Sequence, residues 1–165
     1  MRKRSEFFKD VFYEKWQTPI SRGQNVPLWG VLQTLTHVHF FFTIDSKKNC
    51  HVMTIDRIWP YRVIEEGYAS CIDKYFREST RQKKKIKRRS TGIFRTWKLW
   101  GASFVKEIDE GFALSNYKMV HDENQFSYLV VAQDEKIEFI STKPTWEVFH
   151  NTNAKKVMQN YLKKY

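Results

Sequence analysis

His37-Val38-His39-Phe40-Phe41-Phe42-Thr43-Ile44, then Asp45-Ser46-Lys47-Lys48-Asn49, then Cys50-His51-Val52-Met53-Thr54-Ile55-Asp56, is the stretch on which the fold turns. Two runs rich in β-branched and aromatic residues flank a polar group of five, which is the pattern of a β-hairpin over residues 35–56. With Ile44 set opposite Cys50, Val38, Phe40, Phe42 and Ile44 share a face with Cys50, Val52 and Thr54, and that face is the expected core. The other face carries His37, His39, Phe41 and Thr43 beside His51, Met53 and Ile55. It is apolar enough to need a cover of its own, such as a helix.

Working outward, Leu28, Trp29, Val31, Leu32 and Leu35 extend the apolar stretch upstream, and Pro19, Gly23, Asn25 and Pro27 mark a loop before it. Phe7, Phe8, Val11, Phe12 and Trp16 predict a short amphipathic helix near 6–16 with Ser5 as N-cap. Downstream, Pro60 closes the hairpin unit. Ile64, Tyr68, Cys71, Ile72, Tyr75 and Phe76 form one stripe of a predicted helix over 63–78, with early acids and late bases that suit its dipole. Residues 93–100 look extended. Residues 112–120, 125–133 and 136–141 read as a β-meander joined by polar turns at 121–124 and 134–135. Asn153 is placed to cap a last helix over 153–163, whose apolar face is Val157, Met158, Tyr161 and Leu162. The expected fold is therefore α+β: an antiparallel sheet from the 35–56 hairpin and the 112–141 meander, covered by two or three helices.

The 165 residues imply one domain spanning 1–165, with a core large enough to need no staples. Aromatic residues make up 16% of the chain, which argues for a packed fold over a disordered one. Cys50 and Cys71 show no CxxC or CxxH spacing, so neither a structural zinc site nor a disulfide framework is expected, and a reducing compartment is favoured. No signal peptide or membrane-crossing apolar run is evident. The expected location is intracellular: nuclear for a eukaryotic or eukaryotic-virus source, otherwise cytoplasmic. Lys and Arg number 29 against 18 Asp and Glu, a net charge of +11. A domain this basic favours nucleic acid, an anionic membrane or an acidic protein as partner.

The charge is concentrated. Arg81, Lys83, Lys84, Lys85, Lys87, Arg88 and Arg89 fill seven of the nine positions 81–89, inside a flexible basic loop expected near 79–92. Lysines and arginines that neutralise phosphates release condensed counterions, so such a cluster gives tight, salt-sensitive binding to a polyanion. The run also resembles a monopartite nuclear-import signal. Immediately after it, Phe94, Arg95, Trp97, Lys98 and Trp100 interleave stacking surfaces with cations, the combination that holds single-stranded nucleic acid. In a strand Arg95 and Trp97 lie on one face and Lys98 on the other, so the ordinary role of core filling competes for each aromatic.

His37-Val38-His39 places two imidazoles on one face of a strand, where both can point at one ion. A His-hydrophobic-His strand followed by a helix tyrosine, here Tyr68 or the Lys74-Tyr75 pair, resembles the HUH endonuclease family over residues 35–76. The resemblance implies a divalent metal held partly by His37 and His39 to polarise a scissile phosphate. Tyr75, or alternatively Tyr68, would then be the nucleophile that becomes linked to DNA. His51, in the register above, lies about four residues along from His39's position, roughly 13 Å, too far to share that ion.

No Walker A loop, GxGxxG, HExxH or GxSxG is present. The reading carried forward is nucleic-acid binding without catalysis or cofactor, by Arg81, Lys83, Lys84, Lys85, Lys87, Arg88 and Arg89, extended by Arg95, Trp97 and Lys98. The alternatives are the metal-dependent single-strand nuclease, and a peripheral membrane or adaptor protein that uses the same basic loop with tryptophans at the headgroup level.

Overall fold

A computed structural model describes residues 12–22, 25–44, 47–57, 60–65, 96–100, 126–141 and 143–165. Among them are nine strands and one helix: β1 (Phe12–Lys15), β2 (Leu28–Gln33), β3 (His37–Ile44), β4 (Lys47–Asp56), β5 (Tyr61–Glu65), β6 (Thr96–Trp100), β7 (Phe126–Val131), β8 (Glu135–Ser141), β9 (Thr145–Phe149) and α1 (Ala154–Lys164). The strands form two antiparallel sheets, ordered β1-β6-β7-β8-β5 and β2-β3-β4-β9.

The sheets face one another across one apolar core. Val38, Phe40 and Phe42 of β3 and Met53 and Ile55 of β4 meet Tyr128 and Val130 of β7 and Ile137 and Phe139 of β8. Trp16 joins the two sides, with its ring 4.7 Å from Tyr128 and 5.9 Å from Trp146. The loop carrying Trp16 is tied to β6 by hydroxyls. Thr96 Oγ1 and Ser21 Oγ both donate to the Trp16 carbonyl, and the two hydroxyls lie 2.7 Å apart. Ser21 and Thr96 are buried, and their bonds to the carbonyl offset the cost of taking them out of water.

The opposite face of β3 and β4 is covered by α1. Phe41, Cys50 and Val52 pack against Ala154 and Val157, with Leu32, Phe149, Met158 and Tyr161 around them. Asn153 caps the helix, its Oδ1 accepting from the Lys156 N–H at 2.9 Å. The contact with β2 is tight: a Cβ on Gly30 would lie 3.3 Å from Met158 Sδ. Burial on both faces explains why residues 38–42 form an unbroken buried run, without the alternation of a half-exposed strand.

Four expectations are corrected. The hairpin and the meander strands β7 and β8 belong to two sheets, not one, residues 112–120 lie outside the described set, and two or three covering helices are not seen; the described residues hold α1 alone. Phe12–Lys15, assigned above to a helix, is a strand paired with β6, and residues 5–11 lie outside the described set. Residues 63–65 belong to β5, where Arg62 sits opposite Glu138 and forms an ion pair with it; residues 66–78 lie outside the described set. The hairpin register is shifted by one: Thr43, not Ile44, faces Cys50, and a bulge follows as Ile44 pairs with Lys47. A one-residue slip exchanges the faces of the whole second strand, so Met53 and Ile55 enter the inter-sheet core while Cys50 and Val52 turn to α1.

Candidate functional site

Of the residues expected to grip phosphates, Arg81, Lys83, Lys84, Lys85, Lys87, Arg88, Arg89 and Arg95 lie outside the described residues. Trp97 and Lys98 belong to β6, an interior strand between β1 and β7. Trp97 is opposite Lys15 and Leu129, and Lys98 is opposite Glu14 and Tyr128. They occupy consecutive register positions, which belong to opposite faces of a sheet.

His37 and His39 do share a face, their rings 6.0 Å apart and tilted by 31°. His37 is exposed, and its Nδ1 lies 2.8 Å from Thr36 Oγ1. His39 is buried at the foot of α1: its Nδ1 lies 2.8 Å from Thr54 Oγ1, and its Nε2 is buried without a hydrogen-bond partner. Burial, and then the neighbouring His37, pull the His39 pKa below the ordinary histidine value; Glu147 opposes this and Lys164 adds to it. His51 sits opposite Phe42, three positions from the Thr54 that faces His39, and therefore on the other side of the sheet. Its Nδ1 also lacks a partner, and burial followed by the charge of His150 lowers its pKa. Among the described residues no group of three or more His, Cys, Asp or Glu side chains could hold a metal ion.

Tyr68 and Tyr75, the tyrosines that the nuclease resemblance would require, lie outside the described residues. The tyrosines beside His39 are Tyr161 and Tyr165 of the C-terminal segment, at ring distances of 4.9 and 5.7 Å. Tyr161 donates its hydroxyl to Glu147 Oε1 at 3.0 Å, and burial together with that bond pushes its pKa up. A hydroxyl held protonated in this way is a packing and anchoring group, the opposite of an activated nucleophile. Cys50 is similarly inert, with burial pushing its thiol up to about 11.

The outward side of α1 carries a feature that the sequence reading passed over. Lys155, Lys156, Lys163 and Lys164 are all exposed, and no acidic residue occurs between Asn153 and Tyr165. The sequence signal was available in the stretch Ala154-Lys155-Lys156-Val157 and Leu162-Lys163-Lys164. Attention to the apolar stripe alone left it unused. Among the described residues no helix is long and apolar enough to cross a membrane.

Comparison with known proteins adds no assignment: no protein-family model matches the chain, and no curated protein or solved structure matches it.

Proposed function

We propose that this protein binds nucleic acid through clustered lysines and arginines, as a binding module without chemistry of its own. The observation that carries the reading is the run Arg81–Arg89, seven bases in nine positions of a chain with net charge +11. Seven like charges held close together repel in the free protein. A phosphate backbone removes that repulsion and releases its own counterions. Arg95, Trp97 and Lys98 extend the same segment, with tryptophan supplying a surface on which an unpaired base stacks for about 1–3 kcal/mol. On this reading the protein acts inside the cell, in the nucleus if its source is eukaryotic or a eukaryotic virus.

The test is charge reversal within the run. Lys84→Glu, Lys85→Glu and Arg88→Glu together should weaken binding to a labelled oligonucleotide and flatten the dependence of log K on log salt by about 2–3 units, since each phosphate contact contributes about 0.7–0.9. Binding that is unchanged in both affinity and slope would remove the run from the interface.

A further inference from the structure

We infer that the solvent face of α1 is a second phosphate-contacting surface, separate from the basic run, and that it grips the backbone of the same nucleic acid. The inference rests on the partner proposed above but uses different residues. At about 100° per residue, Lys155, Lys156 and Lys163 fall within roughly one 100° arc. Lys164 lies about 80° beyond Lys156, next to Val157 at the edge of the buried side, with its Nζ 5.9 Å from the Tyr165 ring centre. The buried side of the helix, formed by Ala154, Val157, Met158 and Tyr161, lies opposite. The two lysine pairs are about 12 Å apart along the axis, close to the rise of three or four nucleotides in one strand of a duplex.

The helix holds this spacing firmly. Its apolar side is docked on Phe41, Cys50 and Val52, Asn153 caps one end, and Tyr161 is bonded to Glu147 on β9. The cations are therefore presented on a fixed frame, and little order remains to be imposed when a ligand binds.

Helix stability does not account for the whole set. Lys163 and Lys164 sit in the last turn, where the helix dipole favours cations. Lys155 and Lys156 sit in the first turn, where it opposes them, and that turn has no acid. Among the described residues none of the four lysines has an ion-pair partner. Three cations on one arc of the helix without an acid among them, with Lys164 at its flank, complement a polyanion and make a poor docking face for a neutral or basic protein.

The experiment compares the wild type, the Lys84→Glu/Lys85→Glu/Arg88→Glu variant, and a helix variant carrying Lys155→Gln, Lys156→Gln, Lys163→Gln and Lys164→Gln. Each is titrated with fluorescein-labelled single-stranded and duplex oligonucleotides across a salt series, with circular dichroism and thermal melting as fold controls. The helix variant should melt no more than slightly below the wild type and bind more weakly, with the salt slope reduced by about 2–4 units. If the four changes together unfold the chain, Lys155→Gln with Lys156→Gln alone should lower the slope by about 1–2 units, because the dipole at the first turn opposes those two lysines and their loss does not weaken that end. Wild-type affinity and slope in a folded helix variant, with binding weakened in the basic-run variant, would overturn this inference and leave the partner standing. A wild type that binds no oligonucleotide overturns both. Helix-variant loss seen only on vesicles of phosphatidylserine and phosphatidylcholine would reassign the face to an anionic membrane.

Discussion

The two faces of the β3–β4 hairpin are both buried, but in different ways. The inner face is mostly apolar: Phe40, Phe42, Met53 and Ile55 lock against Tyr128, Val130, Ile137 and Phe139 from the other sheet. The outer face is covered by a single helix and contains His39, whose Nε2 is buried without a partner between Tyr161 and Tyr165. Nearby, Ser21 and Thr96 show how the fold buries polar atoms when it satisfies them: both hydroxyls are bonded to the Trp16 carbonyl. The inner face also buries polar atoms without partners, His51 Nδ1 opposite Phe42 and the indole Nε1 of Trp146. The outer face differs in its cover: one helix instead of a second sheet, with the lysines of that helix turned to solvent.

The largest effect should come from opening the inner face. Phe40 stacks on Phe139 at 6.4 Å and is fully buried between the sheets, so Phe40→Ala should cost about 3–5 kcal/mol in urea unfolding. A loss below about 1 kcal/mol would show that the sheets do not pack through this residue.

The next effect is in pH. His39 and His51 both have folded pKa values below the unfolded value near 6.5, first through burial and then through neighbouring histidines. The unfolded chain therefore binds more protons in the window below 6.5. Stability should be level above that pH and fall as pH drops through 6.5 towards the folded values. Replacing both with glutamine should remove most of that slope. A slope unchanged in the double variant would mean that other groups carry it.

The smallest effect should be that of Tyr161→Phe. It removes one bond to an exposed carboxylate while keeping the ring contacts with Phe41 and His39, and should cost about 0.5–1.5 kcal/mol in thermal or urea unfolding. A loss the size of the Phe40 cavity would mean that Tyr161 holds α1 in place by itself, and the contrast between the two faces would weaken.

Much of this arrangement could be read from residues alone. The hairpin was legible because Val38 to Ile44 and Cys50 to Ile55 are strand formers on either side of a polar break. Its register was not, because Lys47, Lys48 and Asn49 look like turn residues yet belong to β4, the polar end of a strand. The last helix was legible through Asn153, whose capping bond is local. Residues 63–65 were misread because Ile64 continues a helical spacing towards Tyr68. What makes them a strand is Glu138, 76 positions from Arg62, which no local pattern reveals. Thr145–Phe149 was missed although its alternation of Trp146 and Val148 with polar positions, between Pro144 and Asn151, is a strand signal. For the site, His37 and His39 were correctly placed on one face, but the tyrosines beside His39 come from α1 and its C-cap, a long-range contact outside the reach of spacing arguments.

The most direct test of the central claim is fluorescence anisotropy of the wild-type protein with labelled single-stranded and duplex DNA and RNA across a salt series. Tight binding at low salt, weakening linearly in log salt with a slope of several units and with a preference for one form of nucleic acid, is the predicted result. No binding to any of them at low salt would contradict the account, and the basic run and the lysines of α1 would then need a partner other than nucleic acid.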